Sequence, residues 1–323
     1  MAGPGRSVPR PLVRRAFEER WTLQDAWTFA FYWGLGTAMQ RVPEPVARGG
    51  ALLISQALLP ARRAAMAAYL ENLEAVLGRR VRGEEARWWT RRVAAAYGRY
   101  WQEGARLPQI PGEVVDERLV VEDGFELLEQ ALRSDQGVIL ALPHLGSWEW
   151  GGAWLARRGF PMTAVVEALR PRALFEWFAA KRRAMGLEVL SLADDPGPAL
   201  LRTLRSGGLV GLVSDRLVDG AGVPVEFFGR PAVLPGGPAT LALRTGAALF
   251  PAAVYQGPGP LHTGVVLPRL DTTRRAGLRA DVARVTQELA GAFERLIRRA
   301  PDQWYAFQPL SADRGTRREG PAR

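Results

Sequence analysis

Cysteine is absent, lysine occurs once, at Lys181, and histidine twice, at His144 and His262. Without cysteine there is no disulfide, no thiolate nucleophile and no Cys-based zinc or iron–sulfur centre. Two histidines far apart in the chain give no His-rich metal site, so no metal and no resident cofactor is expected. The single lysine stands between Ala180 and Arg182 rather than behind a glycine, which excludes a phosphate-binding P-loop. Met1 to Arg20 is rich in Arg and Pro and has no apolar core of the kind a signal peptide carries. The charge-free run from Ala26 to Gln40 falls short of the about 20 apolar residues that a membrane span needs. No internal repeat is visible.

What is present points to a packed protein with a basic surface. Hydrophobic residues make up 47% of the 323 residues, enough for a substantial core. The net charge is +10 and the pI about 10.9, carried almost wholly by arginine. That balance implies an anionic partner: nucleic acid, an anionic membrane surface or a phosphorylated substrate. Nucleic acid is the weakest of the three, because neither a helix-turn-helix nor aromatic-plus-basic repeats are evident. Arginine in place of lysine also fits a GC-rich genome.

The chain reads as two parts of one domain over residues 21–313, with a basic, disordered 1–20 before it and a disordered 314–323 after it. The part over 21–105 is helical. Val46 to Leu59, Ala61 to Leu77 and Glu84 to Gly104 carry helical periodicity, and Ala26 to Gln40 packs as a core helix or lies in a membrane interface. Trp21, Trp27, Phe29, Phe31, Tyr32 and Trp33 are aromatics of the kind found at headgroup depth. Together with the basic charge they favour a peripheral or monotopic membrane protein. Over 106–313 strands alternate with helices, which predicts an α/β fold with a largely parallel central sheet flanked by helices. The strands fall at Leu119 to Val121, Val138 to Leu142, Met162 to Val166, Leu187 to Leu190, Leu209 to Val213, Ala248 to Tyr255 and His262 to Pro268. Leu278 to Arg299 is the last long helix.

The chemistry concentrates at Leu142 to Gly152. The apolar run Gly137 to Leu142 is a buried strand, and a helix follows, so His144 sits where the strand ends. Ligand sites of open α/β sheets gather at such ends. An imidazole there, oriented by a carboxylate, removes a proton from a hydroxyl. Glu149, five residues on, is one candidate partner. Asp215, at the end of strand Leu209 to Val213, is the other. Gly146-Ser147-Trp148 is not the strained serine elbow of esterases, so a serine hydrolase is disfavoured. His262 follows Gly257-Pro258-Gly259-Pro260 and reads as a surface loop residue. Phe227 and Phe228 lie between glycines in an apolar loop; they line a substrate channel or belong to the core. Glu226 serves the site or is a solvated strand residue.

These residues resemble the bacterial lipid A acyltransferase family, which includes actinobacterial phosphatidylinositol mannoside acyltransferases. The resemblance rests on His144-x4-Glu149, Asp215-Arg216, Phe227-Phe228-Gly229 and Pro235-Gly236-Gly237-Pro238-Ala239. Asn72 to Gly78, Arg182 to Gly186 and Pro301 to Pro309 add to it. It implies transfer of an acyl group from a fatty acyl thioester, on coenzyme A or acyl carrier protein, to a hydroxyl of a glycolipid or phospholipid. It also implies a membrane-associated N-terminal part on the cytoplasmic face of the plasma membrane. His144 would be the general base, with Glu149 or Asp215 orienting it. Gly146, Ser147 and Arg182 are candidate oxyanion donors, though Arg182 also fits a structural ion pair. Arg216, Glu226, Phe227 and Phe228 are expected to contact substrate. The mannoside enzymes tend to carry His-x4-Asp where this chain has His-x4-Glu, as lipid A enzymes do.

Overall fold

The structure is a computed structural model that describes residues 21–167, 169–218 and 222–310. The expected disordered ends, 1–20 and 314–323, lie outside the described residues. Four helices come first: α1 Leu23–Arg41, α2 Glu44–Leu58, α3 Arg63–Leu77 and α4 Gly83–Arg106. Local chemistry sets their ends. Thr22 and Asp25 form a reciprocal capping box at the start of α1. Pro45 occupies the first turn of α2, where its missing N–H costs nothing. Gly78 ends α3 in the left-handed conformation, at φ 65°.

A short helix, α5 Gly112–Arg118, leads into the sheet. The remaining order is β1 Leu119–Asp123, α6 Phe125–Leu132, β2 Val138–Leu142, α7 Trp148–Arg157, β3 Met162–Val166, α8 Arg172–Ala184, β4 Glu188–Ser191, α9 Gly197–Arg205 and β5 Leu209–Val213. Then come β6 Val223–Phe227, β7 Arg230–Leu234, α10 Gly237–Thr245, β8 Ala248–Gln256, β9 His262–Val266 and α11 Leu278–Arg299. The main sheet has seven strands in the order β1-β9-β8-β2-β5-β3-β4. Every neighbouring pair is parallel except β8 with β9. The fold is therefore α/β with a mostly parallel sheet, as the alternation of strands and helices predicts.

The sheet is buried on both faces. All five residues of β2 are buried. Ile139 and Ala141 enter one core, with α9, α10 and α11, while Val138, Leu140 and Leu142 enter the other, beside α6 and α7. This is the period-two alternation of a strand between two helical layers. A third core joins α3 and α4 through Tyr69, Leu73, Val93 and Ala94, and Tyr305 and Phe307 from the C-terminal segment pack on it.

Two expectations are corrected. Phe227 is not in a loop but ends β6, and Phe228 is in the tight turn that joins it to β7: the two strands form an antiparallel hairpin, with Phe227 paired to Arg230. Its turn takes Phe228 and Gly229 to φ 51° and 68°, and glycine is what the second position favours. His262 is not a surface residue either. It begins β9, opposite Gln256, and is 1% exposed.

Candidate active site

The register of two strands builds the site. β2 and β5 are parallel neighbours with Leu142 beside Val213. Continuing both chains by two residues brings His144 and Asp215 together at the carboxyl end of the sheet. His144 Nδ1 lies 2.5 Å from Asp215 Oδ1. The other carboxylate oxygen accepts from the indole Nε1 of Trp304 at 2.7 Å. Asp215 is 2% exposed, whereas the His144 side chain keeps 26%. Burial pushes the Asp215 carboxyl up, but His144 and Trp304 more than offset this and hold it below the usual carboxylate range. The group facing His144 is thus an anion.

The far side of the ring faces a cation. Arg216 Nε donates to His144 Nε2 at 3.3 Å, and its terminal nitrogen is 3.4 Å from Glu167. Arginine only donates, so Nε2 carries the lone pair and Nδ1 the proton toward Asp215. That tautomer is the one a general base needs.

Glu149 does not take part in this pairing. It sits in the first turn of α7 and meets Arg182 of α8 at 2.5 Å, both side chains nearly buried. This is the ion pair that one of the two sequence readings of Arg182 expects. Gly146 and Ser147 are also committed: Gly146 N–H donates to Gln303 O at 3.0 Å and Ser147 N–H to Val254 O at 2.8 Å. Their amides are not free to receive an oxyanion. The Ser147 hydroxyl donates to Glu103 at 2.6 Å. Phe227 and Phe228 are core residues, 2% and 7% exposed, and Glu226 is a solvated strand residue held through its backbone by Gln287.

An apolar cavity of about 220 Å³ opens between α1, α2, α4 and α8. Phe31, Tyr32, Ile54, Trp101, Trp177 and Phe178 are among its walls. Glu149 and Arg182 reach one side of it. Lys181 is also in the wall, its ammonium 4.4 Å over the Trp177 ring. Burial pushes the Lys181 pKa down to about 8, with Glu149 pulling the other way. Tyr97 connects cavity and site: it lines the cavity, its ring is 5.2 Å from that of Tyr305, and Tyr305 N–H donates to His144 O at 2.8 Å. Among the described residues no group of acidic or imidazole side chains has the form of a metal site.

Three participants were not foreseen as such. Trp304 carried a signal, a tryptophan in the Pro301 to Pro309 block, but its partner is 89 residues away. Glu103 and Tyr305 carried none that separates them from core-facing polar residues.

The chain matches the family model for bacterial lipid A biosynthesis acyltransferases over residues 14–311. It is 40% identical, over 219 residues, to a phosphatidylinositol mannoside acyltransferase of Mycobacterium tuberculosis, covering 66% of this chain and 67% of the relative. It is 39% identical, over 220 residues, to the protein of the same name from Mycolicibacterium smegmatis, covering 67% of this chain and 69% of the relative.

Proposed function

The chain belongs to the bacterial lipid A biosynthesis acyltransferase family, and on that footing we propose that it moves a fatty acyl group from an acyl thioester to a hydroxyl of a phosphatidylinositol mannoside. The observation that carries this reading is the Asp215–His144 pair at 2.5 Å, with Arg216 holding the Nε2 lone pair at 3.3 Å until the acceptor hydroxyl takes its place. His144 Nε2 takes the proton of the acceptor hydroxyl. The oxygen attacks the thioester carbonyl carbon, the tetrahedral oxyanion collapses, and the sulfur leaves with the proton returned by His144. Asp215 stabilises the imidazolium in between. Arg216 is the oxyanion donor in this scheme, because the Gly146 and Ser147 amides are already bonded. The absence of cysteine fits direct transfer without a thiol-bound acyl-enzyme.

The aromatic cavity suits the acyl chain, being apolar and linked to the His144 backbone through Tyr97 and Tyr305. The donor thioester is carried by coenzyme A or by acyl carrier protein; both are acidic and suit a chain of net charge +10. The acceptor assignment follows the named mycobacterial relatives, over a lipid A precursor or a lysophospholipid. No described helix is long and apolar enough to cross a membrane. The reading is peripheral attachment, at the cytoplasmic face, through α1 and α2, where Leu23, Trp27 and Leu53 are 83%, 75% and 72% exposed.

The test is thiol release from palmitoyl-CoA, and in a second arm from palmitoyl-acyl carrier protein, against a panel of acceptors. Release that depends on phosphatidylinositol mannoside and disappears in His144→Ala supports the reading. Release that is unchanged in a folded His144→Ala protein overturns it.

A further inference from the structure

The second histidine belongs to a buried polar cluster that the scheme above does not use. His262 Nε2 lies 2.9 Å from Glu103 Oε2, and the His262 side chain is 0% exposed. The same oxygen accepts from the Ser147 hydroxyl at 2.6 Å, and Oε1 accepts from Arg99 Nε at 2.6 Å. Arg99 is itself pinned, donating to Gly257 O at 2.6 Å and Leu261 O at 2.9 Å. Trp150 stacks on the His262 ring, with centroids 4.2 Å apart. Burial pushes the Glu103 carboxyl up, but His262, Arg99 and Ser147 together hold it below its ordinary value. Three elements thus meet on one carboxylate: α4, the β8–β9 connection with the start of β9, and the entry to α7.

The entry to α7 shows what this costs. Ser147 is the residue before the helix, where a serine hydroxyl usually accepts from an amide of the first turn and contributes about 1 kcal/mol. Here it makes no such cap. The hydroxyl is spent on Glu103 instead, three residues from His144.

We propose that His262 and Glu103 are positioning residues for His144. Glu103, squared up by His262 and Arg99, fixes Ser147. Ser147 anchors the end of the 143–147 turn while Tyr305 and Gln303 hold its middle through His144 O and Gly146 N–H. The imidazole is thereby kept at its distance from Asp215. A hydrogen bond this short does not survive a shift of the turn, and misplacement of a reacting group by about 1 Å costs about 10²-fold in rate.

The kinetic arm of the test rests on the acyl-transfer reading; the spectroscopic arm does not. Two histidines give two pairs of ring signals in ¹⁵N spectra, Nδ1 and Nε2 of each, and the pair left in His262→Leu is that of His144. Ser147→Ala, His262→Leu and His262→Gln are compared with wild type. We expect Ser147→Ala and His262→Leu to lower kcat about 10- to 100-fold, to leave the KM for the acyl donor within about twofold, and to shift or broaden the His144 signal. His262→Gln, whose amide also donates to Glu103, recovers most of the loss. Wild-type kcat with an unmoved His144 signal in folded Ser147→Ala and His262→Leu overturns the proposal, even if both proteins melt earlier. If His262→Leu does not fold, Ser147→Ala, which removes one oxygen, decides. Should wild type transfer no acyl group at all, the acyl-transfer reading falls, and the His144 signal alone judges the positioning role.

Discussion

At the scale of single residues the site divides into groups that act and groups that hold. In the proposed scheme His144 and Asp215 act. His144→Ala is expected to lower the rate of transfer about 10²- to 10⁴-fold, and Asp215→Asn to do nearly as much by favouring the wrong tautomer. Both are read as kcat on folded protein. Trp304→Phe keeps the packing of a side chain that is 0% exposed but removes the indole donor to Asp215. It is expected to lower kcat with little change in the KM for donor. Lys181 bears on stability instead. Its pKa of about 8 in the folded chain lies below the unfolded value of about 10.4. Between these values the unfolded chain binds more protons, so stability rises with pH across this window. Lys181→Met is expected to flatten that rise. At neutral pH it should stabilise by about 1 kcal/mol, because solvent screens this partly exposed group and the ammonium's contacts with Ala105 O and the Trp177 ring are lost, measured by denaturant titration at pH 7 and pH 10.

At the scale of elements, α7 and α8 are joined by an ion pair, Glu149 with Arg182, that is nearly out of water. Removing one partner leaves a buried charge unmatched. Arg182→Leu alone is expected to cost about 3–5 kcal/mol. Glu149→Leu with Arg182→Leu should recover most of that, as a double-mutant cycle on unfolding free energy will show. The first two helices make a different kind of prediction. Trp27 and Leu53 are exposed on α1 and α2, so Trp27→Glu and Leu53→Glu should leave the melting temperature unchanged. Each should weaken binding to phosphatidylinositol-containing vesicles about tenfold or more, the equivalent of about 1.5–3 kcal/mol for one large apolar side chain. The Ala26 to Gln40 run is not wholly a core helix: Met39 is buried against α2 and α4, while Trp27 faces outward.

At the scale of the whole molecule, the C-terminal segment ties the two parts together. Trp304 closes the site, and two residues later the chain lies on α3, where Asn72 Nδ2 donates to Ala306 O at 3.0 Å and Gln308 O at 2.9 Å. Asn72 is 4% exposed. Asn72→Leu strands two carbonyls. It is expected to cost about 1–3 kcal/mol, seen as a lower denaturant midpoint at unchanged m-value. The helical N-terminal part and the α/β part therefore meet through the same segment that completes the site.

The sequence by itself determined whatever depends on local periodicity and on residue supply. An apolar run of five residues, bounded by Gly137 and Pro143, is too short for a buried helix and reads as a buried strand, so β2 and the α/β alternation were legible. So was His144 at a strand end, in a chain with one other histidine and no thiol. What only the tertiary structure decided depends on strand order. Glu149, near His144 in sequence, turns its carboxylate to Arg182; Asp215, 71 residues away, pairs because β5 is the neighbour of β2 in register. His262 follows a Gly-Pro turn and looks exposed until β9 folds back on β8 and α4 covers it. Local pattern carries the period of an element and not its neighbours, and partners in this site are set by neighbours.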